Sequence, residues 1–210
     1  MFTQTNPTAN MRAKKHNEYF ARETDISGII RPRDQTVSFV GLPTRTVPVP
    51  VIRYTLEKTL ERLIRKGYTQ FMTGINGQFE RTAGEVMLQM KSRYPEKAIA
   101  LVLVISNYLY EKMSQKPTSV RRVHRGADAV IVMGEEAPFY NANHTMCHFL
   151  LSNCKRLCYS RKSRECQNWY PGLSVLSQAD STPELFDMTA EILMARLARP
   201  ELCEKNKHGS

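Results

Sequence analysis

The stretch GYTQFMTGINGQFERTAGEVML, residues 67–88, carries the clearest fold signal in this 210-residue chain. A short apolar run, Phe71 and Met72, leads into a turn with two glycines, Gly74 and Gly77, and a helical pattern follows. Strand, glycine turn and helix in this order build the phosphate cradle of many α/β proteins. Three turn residues do not belong to a standard phosphate loop: Gln78, Glu80 and Arg81. A tight β–α connection without a ligand is the alternative reading of the same residues.

Apolar runs and helical patterns alternate on both sides of this turn. The run AIALVLVI, residues 98–105, has no polar alternation, which is typical of a parallel strand buried on both faces. Similar short runs predict strands over 36–41, 69–73, 127–134, 156–160 and 173–177. The sequence therefore predicts an α/β fold, a doubly wound, mostly parallel sheet of about five to six strands flanked by helices.

Helices are predicted from apolar residues at helical spacing. They run from residue 51 to a glycine C-cap at Gly67, from the glycine turn to near Arg93, over 107–125 with a break at Pro117, over 141–153, and over 182–198 with Thr182 as N-cap. Residues 1–34 are polar without clear periodicity and are predicted to form a flexible or loosely docked N-terminal arm. Residues 35–199 form the predicted domain, and 200–210 a polar tail. Three residues are predicted to anchor the end of the arm: Ile26, Ile29 and Ile30.

Composition points to a basic protein with a real core. The formal net charge is +10, the pI is about 9.5, and 41% of the residues are hydrophobic. A basic balance favours contact with nucleic acid, nucleotides or an acidic surface, and a solvated basic face is the alternative. The cysteine number is odd, five, and neither a signal peptide nor a membrane-length apolar run is seen, so we expect a cytoplasmic protein with reduced thiols and no membrane contact.

Ligands of doubly wound sheets bind beyond the carboxyl ends of the strands. Three loops are predicted at that edge: 41–46, 73–81 and 134–143. Their glycines, hydroxyls, guanidinium and carboxylate groups suit a phosphate or a ribose.

Three blocks of the sequence are similar to one known family. SFVGLPTR (38–45), LIRKGYTQFMTGINGQFERTAGEVMLQMKSRYP (63–95) and RGADAVIVMGEEAPFYNANHTMCHFLL (125–151) follow one another in the order and spacing of that family's motifs. Over roughly residues 36–160 the chain resembles the YpsA-like branch of the SLOG superfamily, whose members have a Rossmann-like fold. The resemblance implies a nucleotide or nucleotide-derivative ligand, because some relatives cleave nucleoside monophosphates and others are thought to be ligand sensors.

The resemblance also implies site residues. The matching positions are Gly41, Gly74, Glu80, Glu85 and Asn143. Together with their neighbours they give the predicted ligand-binding set: Gly41, Thr44, Arg45, Thr73, Gly74, Gly77, Glu80, Arg81, Gly134 and Asn143. The candidate catalytic carboxylates are Glu80 and Glu85, although acidic residues also suit the first turns of a helix for electrostatic reasons alone.

Several positions depart from the family pattern. Leu42 and Pro43 replace a His-Arg pair, Gln78 stands in place of a glycine, Ala142 replaces an arginine and His148 an aspartate, and no Gly-Gly-Thr turn follows residue 160. Phosphate contacts are therefore expected to be absent or rebuilt, with Arg45 and Arg81 as the replacements.

The predicted function is binding of a nucleotide or nucleotide derivative by a ligand sensor or regulatory protein, with no cofactor. A nucleoside-phosphate N-glycosidase is the first alternative, and the sequence leaves open whether the chain is an enzyme. A nucleic-acid-binding protein is the second, because the stretch after residue 154 is basic and has Tyr159, Trp169 and Tyr170 nearby. Its basic residues are Lys155, Arg156, Arg161, Lys162 and Arg164. The sequence also leaves open whether the chain forms a homo-oligomer.

A cluster of histidines and cysteines raises the question of zinc. The residues are His144, Cys147, His148, Cys154 and Cys158. No tight Cys-x-x-Cys pair is present, and buried cysteines commonly behave as small hydrophobic residues. We predict no metal site.

Overall fold

The computed structural model describes residues 17–20, 25–41, 47–75, 77–133, 146, 149–150, 152–160 and 184–204. These residues contain seven strands: β1 (Glu18–Phe20), β2 (Thr36–Gly41), β3 (Gln70–Thr73), β4 (Ala100–Ser106), β5 (Ala129–Met133), β6 (Arg156–Ser160) and β7 (Glu184–Asp187). They contain the helices α1 (Val49–Arg65), α2 (Gln78–Arg93), α3 (Asn107–Glu111), α4 (Thr118–Gly126), α5 (Thr189–Ala198) and α6 (Glu201–Glu204), and 3-10 turns at Arg33–Gln35, Pro95–Lys97 and Met113–Gln115.

The seven strands form one sheet in the order β1-β5-β4-β3-β2-β6-β7, and every neighbouring pair is parallel. From β2 the chain moves strand by strand to one side through β5, and it then returns to place β6 and β7 on the other side of β2. This is a Rossmann-like doubly wound fold, and the predicted fold class is confirmed. The strand order reverses between β2 and β6, where Gly41 lies opposite Ser160.

The central strands are buried on both faces because helices or loops cover each face. In β4, Leu101, Leu103 and Ile105 face one core while Val102 and Val104 face the other. Helices α1, α2, α4 and α5 pack on the first face. Leu150 and the segment 26–30 cover the second. The apolar run that predicted a buried strand therefore has the expected physical basis.

Two strands were not predicted, and both lie at sheet edges. Strand β7 lies within the predicted helix 182–198, which is wrong for its first half: residues 184–187 pair in register with 156–159. The helix begins instead at Thr189, where the carboxylate of Asp187 accepts a hydrogen bond of 2.9 Å from the Thr189 backbone N–H. Sheet pairing has overridden the local helix signal, which is a common outcome for short segments. The predicted strand 173–177 lies outside the described residues.

Strand β1 draws part of the predicted arm into the sheet. Its Glu18 is buried, at 5% side-chain exposure, and accepts a hydrogen bond of 2.8 Å from the Tyr110 hydroxyl. His124 Nε2 lies 3.6 Å from the same carboxylate. A buried carboxylate is tolerated only with such partners, and they come from α3 and α4. The sequence around Glu18 contains no local signal for these partners, so it could not predict strand β1.

The end of the arm is held by a buried glutamine. Gln70, at the start of β3, accepts a hydrogen bond of 2.9 Å from Arg31 N–H and donates one of 2.9 Å to the Ile29 carbonyl. Ile26, Ile29 and Ile30 pack on the second core, so their predicted anchoring role is confirmed. The division of the chain into arm, domain and tail stays a prediction.

The remaining helix predictions agree with the structure where it is described. The predicted break at Pro117 separates α3 and a 3-10 turn from α4. Met146, Phe149, Leu150 and Ser152 are helical within the predicted helix 141–153. In the described ranges, no helix combines the length and the apolar character that a membrane span requires.

Gly67 ends α1 in the left-handed conformation, with φ +92°. Tyr68 N–H donates to the Leu63 carbonyl at 3.2 Å and Gly67 N–H to the Ile64 carbonyl at 3.0 Å, the two hydrogen bonds of a Schellman motif. We therefore expect Gly67→Ala to lower the free energy of unfolding by about 1–2 kcal/mol, because a Cβ is strained at positive φ. Urea unfolding followed by circular dichroism measures it.

Gly28→Ala is the matched control, since a Cβ at Gly28 meets no atom within 4 Å and φ there is not positive. Its unfolding midpoint should stay unchanged or rise slightly. Equal losses in both variants would contradict the assignment of the α1 cap.

Candidate functional site at the carboxyl edge of the sheet

The glycine turn lies at the carboxyl edge, beside the point where strand order reverses. Gly41 ends β2, Thr73 ends the neighbouring β3, and α2 begins at Gln78. This is the place where doubly wound folds bind ligands. Thr73, a predicted binding residue, is fully buried, and its hydroxyl donates a hydrogen bond of 3.1 Å to the Phe39 carbonyl.

The close approach of α2 requires glycine at Gly41, whereas at Gly74 only the flexible end of the Glu80 side chain is in the way. A Cβ at Gly41 would lie 2.4 Å from Cδ1 of Phe79, and a Cβ at Gly74 would lie 2.8 Å from Oε2 of Glu80. Both distances are shorter than van der Waals contact. The structure shows a packing role for these positions against the first turn of the helix, and their role in binding a phosphate stays a prediction.

Glu80 turns back to cap its own helix. Its Oε2 accepts a hydrogen bond of 3.2 Å from Gly77 N–H, and the residue is only 6% exposed. A carboxylate in the first turn also complements the positive end of the helix dipole. Gly77 has no side chain to return the bond, so only the glutamate half of a capping box is present. A phosphate placed directly at this helix end would meet the Glu80 carboxylate at close range, which disfavours a standard phosphate cradle.

Arg81 supplies the positive charge of the turn. It is half-buried, and its Nε donates a hydrogen bond of 3.3 Å to the Gly77 carbonyl. A guanidinium has further N–H donors beyond that one. Arg81 can therefore hold the turn and also bind an anionic group beside it.

Glu85 is not brought to the turn. It forms an ion pair with Arg53 of α1, and five residues along a helix separate it from Glu80 by roughly 140° around the axis. The two predicted catalytic carboxylates thus lie on different faces of α2. The spacing on a helix already separates the two carboxylates, whereas the partner of Glu85 depends on the position of α1.

Four predicted binding residues lie outside the described residues: Thr44, Arg45, Gly134 and Asn143. The same holds for the basic residues Arg161, Lys162 and Arg164. Of the predicted basic stretch, the side chain of Arg156 forms an ion pair with Glu184 of β7, and the Lys155 backbone N–H bonds to the carbonyls of Arg33 and Thr36. Nucleic-acid binding through this stretch stays a prediction.

The two described cysteines of the histidine–cysteine cluster do not lie together. Cys154 packs in the second core and Cys158 in the first, so the sheet lies between them. Within the described ranges, no three His, Cys, Asp or Glu residues are grouped as a metal site would require. His144, Cys147 and His148 lie outside those ranges.

Ser106 also lies at the carboxyl edge of the sheet, although it is not among the residues predicted for the site. It ends β4, is buried, and its hydroxyl accepts a hydrogen bond of 3.2 Å from Leu109 N–H as the N-cap of α3. Serine directly after an apolar strand and before a helix is a recognisable cap signal. Ser106 places the start of α3 at the same edge as the glycine turn.

No family model matches this sequence, and no curated protein matches it. Among solved structures, the chain is similar to an aldo/keto reductase from Klebsiella pneumoniae in complex with NADP and acetate, with 15% identity, a TM-score of 0.33, and coverage of 63% of this chain and 48% of the reductase. A second aldo-keto reductase from the same organism, in complex with NADPH, gives 15% identity, a TM-score of 0.32, and coverage of 69% and 50%. The chain thus spans about half the length of each reductase. Similarity at this level assigns no function.

Packing at Gly41 can be tested directly. We expect Gly41→Ala to destabilise the fold by about 1–3 kcal/mol, because the new methyl group overlaps the buried Phe79 ring. In a double-mutant cycle with Phe79→Leu, measured by urea unfolding, Gly41→Ala should cost less when the ring is absent. Strictly additive losses would show that the helix does not impose glycine here.

The buried thiols predict a pH dependence. Burial raises the pKa of Cys154 to about 11 and that of Cys158 to about 12. The folded state favours the neutral thiols, so their contribution to stability is full below about pH 8.5, the ordinary thiol pKa, and is lost as the pH rises through 11 to 12.

We expect the stability difference between the natural protein and a Cys154→Ala/Cys158→Ala variant to shrink as the pH rises from 8 towards 11. Urea unfolding at each pH measures it, and Cys203→Ala is the control for a half-buried cysteine. A difference that is independent of pH would contradict the raised values.

Proposed function

We propose that this chain binds a nucleotide or nucleotide derivative at the carboxyl edge of its sheet, as a ligand sensor or regulatory protein. We also propose that it is a divergent member of the YpsA-like branch of the SLOG superfamily. The observation that carries the binding proposal is the buried Glu80 carboxylate beside the strand-order reversal, in the first turn of α2. The order of strand, glycine turn and helix around it supports the family resemblance.

Glu80 suits the sugar of such a ligand better than its phosphate. The Glu80 carboxylate accepts from the Gly77 N–H, and a carboxylate offers about four acceptor positions in all. Ribose hydroxyls are neutral donors, so they bind a carboxylate without charge repulsion, as the acidic residue of dinucleotide-binding folds does. We therefore assign the ribose to Glu80.

The phosphate is assigned to Arg81. Its Nε hydrogen bond to the Gly77 carbonyl fixes the guanidinium beside the turn, and its remaining donors suit phosphate oxygens. Arg45, which follows β2 in the sequence, is the second candidate. This arrangement separates the negative ligand group from the Glu80 carboxylate.

The hydrolase alternative has less support. Its second carboxylate, Glu85, is engaged by Arg53 on the face that packs towards α1. General acid–base cleavage of an N-glycosidic bond needs groups that reach the same ribose. With Glu85 turned away, binding without cleavage is the simpler function for this site.

The test is isothermal titration of the purified chain with AMP, ATP, NAD and ADP-ribose. We expect one of these ligands to bind saturably, and Glu80→Gln to weaken it at least tenfold, because the amide loses one acceptor and the charge. Arg81→Ala should weaken phosphate-bearing ligands and leave the corresponding nucleoside unaffected. Liquid chromatography of the same mixtures detects any released base.

Glu85→Gln is the matched control, an acidic residue on the same helix but another face. It should cost stability through the Arg53 pair while keeping ligand affinity. Unchanged affinity in Glu80→Gln, or no binding of any of the four ligands, would overturn the proposal. Release of free base that is lost in Glu85→Gln would favour the hydrolase.

A further inference from the structure

A second feature of the molecule is the charge on the segment from α3 to α4. We call it the α3–α4 surface, and it consists of Tyr108, Lys112, Lys116, Arg121, Arg122 and Arg125. Residues 107–126 contain these five Lys and Arg side chains and a single carboxylate, Glu111. Glu111 accepts a hydrogen bond of 3.0 Å from Asn107 rather than from a lysine or arginine.

The five cations of this surface are concentrated in 20 residues, and none of them has a carboxylate partner among the described residues. In the described parts of the chain, Arg53, Arg62, Lys91, Arg93, Arg156 and Arg199 form ion pairs, and other exposed cations such as Arg65 do not. The α3–α4 surface differs in holding five unpaired cations close together in the sequence. Arg121 and Arg125 make only neutral hydrogen bonds, to Thr118 and to the Arg121 carbonyl. Positive charge is therefore left uncompensated along the segment from α3 to α4, which favours an anionic partner.

An exposed aromatic ring lies beside the lysines of this surface. Tyr108 is 53% exposed, and Lys112 Nζ lies 4.2 Å from its ring centroid and 2.8 Å from its hydroxyl. The hydrogen bond and charge of Lys112, with a further contribution from Lys116, lower the pKa of Tyr108. An open ring held beside cations provides a stacking face next to phosphate-binding groups.

A cleft continues the surface towards α2. The cleft has a volume of about 520 Å³. It is lined by Arg122 of α4 and by residues of α2: Glu85, Leu88, Gln89, Ser92 and Arg93. The two charged residues that α2 contributes to the cleft are already paired: Glu85 with Arg53, and Arg93 with Glu61. Arg122 is thus the cation that this cleft leaves for a ligand.

We propose that the α3–α4 surface binds single-stranded nucleic acid, with a base stacked on Tyr108 and the backbone phosphates on Arg121, Arg122 and Lys116. A duplex keeps its bases stacked inside and cannot use the exposed ring, so the aromatic residue distinguishes single strands from other polyanions. The binding uses none of the glycine-turn residues and adds a macromolecular partner to the proposed nucleotide site.

The test is fluorescence anisotropy with a labelled oligothymidylate of about 20 nucleotides, a length that exceeds the usual single-domain site. We expect Tyr108→Ala to weaken binding about tenfold and Tyr108→Phe to retain it, because stacking needs the ring and not the hydroxyl. Arg121→Ala/Arg122→Ala should reduce the slope of log affinity against log salt by about 1.4, since each lost phosphate contact to a single strand removes about 0.7.

Arg65→Ala/Lys66→Ala is the matched control, which removes two exposed cations from the end of α1. It should leave affinity and salt slope nearly unchanged, and Glu80→Gln should also bind the oligonucleotide normally. Circular dichroism confirms that each variant is folded. An equal loss in the α1 control, unchanged affinity in Tyr108→Ala, or a duplex that binds as tightly as the single strand would each overturn the proposal.

Discussion

The close packing of the first turn of α2 against the ends of β2 and β3 is the constraint on which the candidate site depends. Phe79 is fully buried there, and its ring lies 6.5 Å from that of Phe39. The helix approaches so closely that a Cβ at Gly41 would overlap the Phe79 side chain. In the same turn of the helix, Glu80 is buried and accepts a hydrogen bond from Gly77 N–H.

The electrostatics of the edge follow from that geometry. In a standard phosphate cradle the free N–H groups of a helix end attract the anion. Here Glu80 already accepts from Gly77, and its charge offsets the helix dipole. A ligand is therefore better matched by neutral hydroxyls at the turn and by an anionic group near Arg81. Positive charge is concentrated instead on α3 and α4, where carboxylates are nearly absent, so sugar recognition and polyanion recognition are separated in the proposed functions.

The two outermost strands of the sheet, β1 and β7, are held in place by buried or paired polar groups. Glu18 holds β1 through Tyr110 and His124, and Arg156 of β6 pairs with Glu184 of β7 across the opposite edge. Each contact joins residues that are far apart in the chain. Both strands are short, three and four residues, and neither has a strong strand pattern of its own. Tertiary partners therefore decide that these segments are extended.

The sequence by itself determined the parallel α/β class, the strands β2 to β6, the helices α1 and α2, and the glycine cap at Gly67, because apolar periodicity and special backbone conformations are local properties. It also located the glycine turn at the carboxyl edge of the sheet. Only the tertiary structure decided that β1 and β7 extend the sheet, that Glu85 faces Arg53 rather than the turn, and that Cys154 and Cys158 lie on opposite faces. These outcomes depend on which side chain from a distant segment lies opposite, and a local pattern contains no record of that partner.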